Sequence, residues 1–176
     1  MKKANFKFII VAILVMTTSI KSYAQIAKAE IIATGLTCSM CSNAINKQLK
    51  SLTEVDSVAT ALNTNTFTVF LKKGNNIKPR VLKERVEKAG FFVGSIVITM
   101  PSDNLKTNDN KTSSLGGSTF VFLDEENQKN DGETKFKIYD KGYITQKEHK
   151  KLLKTFSKTA SYSLENEDDY HMKIIK

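Results

Sequence analysis

The sequence predicts an α+β protein, and three features of its pattern lead to this prediction. Between residues 26 and 99, apolar residues alternate in some segments and follow a helical spacing in others, in the order strand, helix, strand, strand, helix, strand. Residues 101–117 are rich in Asn, Ser, Thr, Asp and Gly, and residues 118–176 again mix strand-like and helix-like segments. The apolar fraction of 40% is sufficient for a buried core.

The first unit contains four predicted strands and two predicted helices. The strands are expected at residues 26–34, 55–62, 67–71 and 92–98, and the helices at residues 41–52 and 77–89. Pro79 suits the first turn of the second helix, and Gly90 is a suitable residue to end it. The order βαββαβ is that of the ferredoxin-like fold, a four-stranded antiparallel sheet with both helices on one face. This unit is assigned to residues 25–100.

The C-terminal part of the chain, residues 118–176, is predicted to be a small α+β unit. Its expected elements are strands at 119–123, 135–139, 160–164 and 170–175 and a helix at 146–157. Residues 101–117 bury too little apolar surface to order themselves, so they are interpreted as a flexible linker.

The N-terminus has the pattern of an export signal. The chain starts with a basic segment that contains Lys2, Lys3 and Lys7. An apolar run follows at residues 8–16, and it is too short to cross a bilayer as a helix. Ser22 and Ala24 then occupy the −3 and −1 positions of a small-x-small cleavage site, so residues 1–24 are predicted to be removed. A retained membrane anchor is the alternative. Cleavage lowers the net charge from +9 to +5, because the leader contains four lysines and no acid. The mature protein is expected in the periplasm or outside the cell.

The chemistry of the chain is concentrated in the loop that precedes the first helix. The chain has two cysteines, Cys38 and Cys41, and the spacing C-x-x-C lets both sulfurs converge when the second cysteine starts a helix. The amide groups and dipole of that first turn favour a thiolate at Cys41. Two thiolates without another ligand suit a soft cation with low coordination number, whereas Zn(II) prefers four ligands. The pattern favours metal binding, with a structural disulfide or a dithiol oxidoreductase as alternatives.

At these residues the chain resembles the heavy-metal-associated domain family, which includes copper chaperones, periplasmic mercury-binding proteins and N-terminal modules of metal-transporting P-type ATPases. The family motif Gly-Met-Thr-Cys-x-x-Cys corresponds to residues 35–41, Gly-Leu-Thr-Cys-Ser-Met-Cys, and the later Ala-Gly-aromatic signature corresponds to residues 89–91. The resemblance implies that Cys38 and Cys41 are the metal ligands and that Leu36 packs under the loop. It also implies that the neutral Thr37 favours a monovalent soft ion or mercury, and that Phe91 forms a dry wall beside the site.

The remaining candidate ligands are expected to play other roles. Met40 is expected to face solvent or pack locally, His149 to lie on the solvated side of a helix, and His171 to lie in a strand. A second metal site made by His171 and Met172 is not favoured, because neighbouring strand residues point to opposite faces.

The sequence therefore predicts a non-enzymatic, exported protein that binds a soft metal ion. Cu(I) is the expected ion and Ag(I) or Hg(II) are the alternatives. The expected partner is a metal-donor or metal-acceptor protein, a transporter or a cuproprotein. Nucleic acid is not an expected partner, and membrane contact is expected only through the signal peptide during export.

Overall fold

The computed structural model describes residues 26–37, 39–101, 112–123, 132–156, 160–163 and 167–175. The predicted signal peptide and residues 102–111 of the predicted linker lie outside these ranges. Within the described ranges, none of the helices combines the length and apolar character that crossing a bilayer requires.

The first unit has the predicted βαββαβ order. Its elements are β1 (Lys28–Thr34), α1 (Ser39–Lys50), β2 (Val55–Ala61), β3 (Thr66–Leu71), α2 (Pro79–Lys88) and β4 (Phe92–Pro101). Strand β1 lies in the middle and pairs antiparallel with both β3 and β4, while β2 pairs antiparallel with β3. The ferredoxin-like arrangement predicted from the sequence is therefore confirmed.

The core of this unit lies between the sheet and the two helices. Along β1, every second residue from Ala29 to Ala33 is buried. Helix α1 contributes Ile45 and Leu49 to the core, and α2 contributes Leu82 and Val86, all of them fully buried. Because helical residues three or four apart share a face, both helices lie with one apolar stripe against the sheet and leave their lysines outside.

The C-terminal residues extend the same sheet. Their elements are β5 (Thr112–Leu115), β6 (Ser118–Phe122), β7 (Glu133–Ile138), α3 (Gln146–Thr155), α4 (Ala160–Ser163) and β8 (Asp169–Ile175). Strand β7 pairs antiparallel with β4, which places Phe136 opposite Ile98. The result is one mixed sheet of eight strands in the order β2-β3-β1-β4-β7-β8-β6-β5. One hydrophobic cluster includes residues from both parts of the chain, such as Leu82, Phe120 and Tyr170.

The helices of the two parts cover opposite faces of this sheet. The hydroxyl of Tyr170 in β8 accepts a hydrogen bond from the backbone N–H of Arg80 in α2 at 3.3 Å. The next residue, His171, is hydrogen-bonded to Ser161 in α4. Because successive strand residues point to opposite faces, α2 and α4 lie on different sides of β8.

Two of the predicted C-terminal elements differ from the structure. Residues 160–164 are predicted as a strand, but Ala160–Ser163 form the short helix α4. There the Tyr162 hydroxyl donates to the carbonyl of Tyr139 at 2.8 Å, a contact between distant residues that local alternation cannot indicate. Residues 112–115, within the predicted linker, form β5, which pairs with β6 across the turn at residues 116–117. The division of the chain into separate domains stays a prediction.

An ion-pair cluster links the first strand to the C-terminal strands. The carboxylate of Glu30 in β1 accepts a hydrogen bond from Lys135 in β7 at 3.2 Å and lies 3.3 Å from the ammonium group of Lys28. Burial raises the pKa of Glu30, but the hydrogen bonds and charges of Lys135 and Lys28 outweigh it and hold the pKa below its ordinary value of 4.5.

Substitution of Phe136 tests whether the extension of the sheet contributes to the stability of the whole chain. Its side chain is 1% exposed and packs in the shared core. We expect Phe136→Ala to lower the free energy of unfolding by about 3–5 kcal/mol, measured by urea unfolding followed with circular dichroism. Lys135→Ala removes a neighbouring side chain that is 44% exposed, and should cost no more than about 1 kcal/mol. Equal losses in the two variants would contradict this account.

Glu30 provides a test of pH dependence. Because its pKa is lower in the folded chain, its charge stabilises the fold above the ordinary value of 4.5, and that contribution is lost as the pH falls through the lowered pKa. We expect Glu30→Gln to lower the free energy of unfolding more at about pH 7 than at about pH 3. Urea titrations at both pH values measure the difference, and a larger loss at the acidic pH would refute the assigned direction.

Candidate metal centre

The loop that carries the metal-binding motif begins where β1 ends. Gly35 has a φ of +86°, a left-handed conformation that L side chains rarely adopt, and it turns the chain away from the sheet. Leu36 is half-buried against the core, which is the place that the family resemblance implies for it, whereas Thr37 is exposed. The loop therefore has one apolar side chain that anchors it and one polar side chain that faces solvent.

The second predicted ligand is placed in the first turn of α1. Cys41 is the third residue of this helix and is half-buried. The first turn contains no acidic residue, so no carboxylate there opposes a thiolate. Cys38, the first predicted ligand, lies outside the described residues.

The residues that follow α2 place an aromatic ring beside this loop. After the helix, Gly90 adopts a φ of +89°, and its N–H donates to the carbonyl of Glu87 at 2.8 Å. The N–H of Phe91 donates to the carbonyl of Val86 at 3.3 Å. These two bonds form a Schellman motif, which requires the left-handed residue that glycine provides. As a result Phe91 packs against the core and lies close to the loop. A Cβ atom at position 35, where the chain has Gly35, would be 4.0 Å from the Phe91 ring.

A cavity of about 270 Å³ lies beside the loop. Its lining combines the loop and start of α1 with the turn between β2 and β3, and consists of Leu36, Thr37, Ser39, Ser42, Leu62 and Asn65. All six side chains are neutral. This environment adds no negative charge for a small hard cation, so thiolates would be the dominant ligands for an ion at this end of the sheet.

The other candidate ligands do not add to the site. In the part of the chain that the structure describes, no group of three or more His, Cys, Asp and Glu residues is arranged to hold a metal ion. Met40 is 80% exposed, as predicted. Both ring nitrogens of His171 are hydrogen-bonded to protein groups, and His149 is half-buried, with its ring 5.9 Å from that of Tyr162. The expectation of a solvated His149 is therefore only partly met.

Comparison with known proteins agrees with this local geometry. Residues 30–92 match the model of the heavy-metal-associated domain family. This part of the chain is therefore a heavy-metal-associated domain, and its family points to the binding and transfer of heavy metals. No curated protein matches the chain. The family match ends at Phe92, and the C-terminal region lies outside it.

Solved structures with a likeness to the chain include a copper transporter domain and part of a P-type ATPase. One is the yeast copper transporter domain Ccc2A, solved in the apo and Cu(I)-loaded states. It is 34% identical, covers 36% of this chain and 86% of its own, and has a TM-score of 0.34. Another is the water-soluble region of the P-type ATPase CopA from Bacillus subtilis, 25% identical over 41% of this chain and 47% of its own, with a TM-score of 0.36. Because such TM-scores support no structural argument, family membership rests on the match at residues 30–92.

Met40 provides a direct test of the ligand set. It lies between the two cysteines in sequence, but its side chain is 80% exposed. We expect Met40→Ala to change the affinity for Cu(I) by less than about threefold and the free energy of unfolding by less than about 0.5 kcal/mol. Competition with a chromophoric Cu(I) chelator measures the affinity. A tenfold or greater loss would show that the thioether contributes to binding.

Proposed function

We propose that this chain is an exported protein that holds one soft metal ion, Cu(I) in the first place, between the thiolates of Cys38 and Cys41. The observation that carries the proposal is the position of Cys41 in the first turn of α1, within a heavy-metal-associated domain and beside a neutral cavity. Export is proposed from the charged, apolar and small-residue segments of residues 1–24.

The mechanism that we propose is ligand exchange. Thr37 in the loop and Ser39 and Met40 at the start of α1 are exposed, so that a partner has access to an ion held there. A thiolate of the partner adds to the two-coordinate ion, a three-coordinate species forms, and the sulfur of Cys38 or Cys41 leaves. The helix N-terminus favours the thiolate that remains on Cys41. The addition forms one metal–sulfur bond and the departure breaks another, and a second such pair of steps completes the transfer, so transfer is fast even when binding is tight.

The preference for a soft monovalent ion follows from the donor set and its surroundings. Two thiolates satisfy a linear Cu(I), whereas Zn(II) would need two more ligands. The residues that line the adjacent cavity offer hydroxyl, amide and aliphatic groups but no carboxylate. Ag(I) and Hg(II) share the linear preference, and direct competition distinguishes them from Cu(I).

The partner that we propose is a metal-donor or metal-acceptor protein, a transporter or a cuproprotein. Basic side chains on α2 would attract an acidic partner, but two of them contact carboxylates of the chain itself. Arg80 contacts Glu84 at 3.6 Å and Glu167 at 3.0 Å, and Lys83 contacts Glu87 at 3.6 Å. Contact around the loop is therefore a better basis for recognition than the charge of α2.

The cysteine variants test the ligand assignment. We expect the mature protein, isolated with reduced thiols, to hold about one Cu(I) per chain, and Cys38→Ser or Cys41→Ser to weaken binding at least about 100-fold, because each removes half of the donor set. Met40→Ala is the matched control within the same loop and should keep full stoichiometry. Copper analysis after desalting and titration against a Cu(I) chelator measure both quantities.

The same preparation separates metal binding from the disulfide alternatives. Thiol counting and intact mass determine whether Cys38 and Cys41 are reduced in protein taken directly from the cell envelope. Metal-free protein with a disulfide that forms and reopens during catalysed insulin reduction would replace the proposal by an oxidoreductase. A Cys38→Ser variant that still holds one ion per chain would refute the ligand assignment.

A further inference from the structure

A second ordered cluster of reactive side chains lies away from the metal loop, on the face of β8 that α4 covers. Asp140, Ser161 and His171 come from three different elements and form one hydrogen-bonded chain. Nδ1 of His171 lies 2.7 Å from Oδ1 of Asp140, and Nε2 of His171 lies 2.9 Å from Oγ of Ser161. The metal-binding function uses none of these groups.

The two hydrogen bonds of His171 fit one tautomer of its neutral ring. An ionised Asp140 can only accept hydrogen bonds, so Nδ1 of His171 must donate to it. In the neutral imidazole Nε2 then has a lone pair, and the hydroxyl of Ser161 donates to it. This is the arrangement of a nucleophile, a general base and an orienting acid.

Two hydrogen bonds from His171 to Asp140 hold the histidine in one position. The second oxygen of Asp140 accepts the backbone N–H of the same histidine at 2.7 Å, so one carboxylate fixes both the ring and the main chain of His171. The imidazole is 1% exposed and meets the ring of Tyr162 edge-on, with 5.2 Å between ring centres. Burial raises the pKa of Tyr162 to about 12, and Asp140 and Glu148 add to the rise, so its hydroxyl stays protonated and donates to Tyr139.

We propose that Ser161 is the nucleophile and His171 the general base of a second site that cleaves small carboxylic esters, with Asp140 as the positioning residue. Ser161 is half-buried, whereas His171 is fully buried, so the serine is the more accessible member of the pair. This activity is independent of the proposed metal transfer and adds catalysis to a chain whose sequence predicts none.

The surroundings of Ser161 favour an apolar acyl or aryl group. The rings of Phe156 and Tyr162 lie 5.4 Å apart, and the ring of His149 lies 5.9 Å from Tyr162. Helix α3 buries none of its residues, and its Leu153 is 37% exposed. Tyr162 directly follows Ser161, so this group of rings offers apolar contact to a neutral acyl or aryl ester, and the ammonium group of Lys173 lies 5.0 Å from the centre of the Phe156 ring.

The proposed reaction balances without any cofactor. Oγ of Ser161 forms a bond to the ester carbonyl carbon while its proton passes to Nε2 of His171. The carbon–oxygen bond to the leaving group then breaks, and the same proton goes to the departing alcohol. Water repeats the two steps on the acyl-serine: its proton passes through Nε2 to Oγ of Ser161, and the carboxylic acid leaves.

Covalent labelling distinguishes this site from a hydrogen-bond chain that merely fastens α4 to β8. The mature protein is blocked at its thiols, incubated with an alkyl fluorophosphonate, which forms a phosphonyl-serine that the proposed water step does not release, and mapped by mass spectrometry. We expect one adduct per chain on Ser161 and none in Ser161→Ala. Ser51→Ala is the matched control, because that exposed hydroxyl donates to the carbonyl of Gln48 instead of a histidine, and it should label as the wild type does.

Two further variants test the base and its positioning residue. His171→Asn keeps a donor near Nδ1 but removes Nε2, so we expect labelling of Ser161 to slow about 100-fold or more. Asp140→Asn keeps the shape but replaces one of the two acceptor oxygens with an NH2 donor and removes the charge, and should slow labelling by a similar or larger factor. Circular dichroism checks that each variant is folded.

The unfolded wild type provides a further reference, in case a variant does not fold. Native wild type must label Ser161 at least about 100-fold faster than the chain in concentrated urea. Equal rates, an adduct on other residues only, or wild-type labelling in folded His171→Asn would each overturn the proposal.

Discussion

The pairing of β4 with β7 is the constraint on which the rest of the structure depends. It joins the βαββαβ unit to the C-terminal strands as one sheet, with Phe136 against Ile98 at the junction. Because the two parts of the chain share one sheet, the helices of the C-terminal part must pack on one of its two faces. Helices α1 and α2 occupy one face, and the contact of Ser161 with His171 places α4 on the other. The metal loop and the hydrogen-bonded cluster are thereby kept apart.

Much of the first unit can be predicted from the sequence because local signals and tertiary contacts agree there. The Ala-Gly-Phe signature at residues 89–91 is an example: glycine allows the Schellman motif, and the motif delivers Phe91 to the loop. The position of Cys41 follows in the same way from the start of α1. The C-terminal part offers no such agreement. Residues 112–115 are polar and short, and they become a strand only because the turn at residues 116–117 folds them onto β6.

The cluster around His171 could not be predicted for a different reason. Its three members are separated by 21 and 10 residues along the chain, and no local spacing links a loop residue, a helix residue and a strand residue. Periodicity predicts that His171 lies in a strand, which is correct, but it does not show what covers that strand. Helix α4, which does so, was itself predicted as a strand. Here tertiary contacts, above all that of Tyr162 with Tyr139, override the local pattern.

The two proposed sites place opposite demands on the same scaffold. Ligand exchange needs donors that a partner's sulfur can approach, and the loop around Thr37 and Met40 is exposed accordingly. General-base catalysis needs a fixed tautomer and a fixed ring, and these require burial and a full set of hydrogen bonds, as at His171. A loop at the end of a strand satisfies the first demand, and the covered face of an inner strand satisfies the second. In the βαββαβ unit alone, β4 would be an edge strand. The C-terminal extension adds four strands beyond it, and β8 is an inner strand of the complete sheet because it lies between β7 and β6.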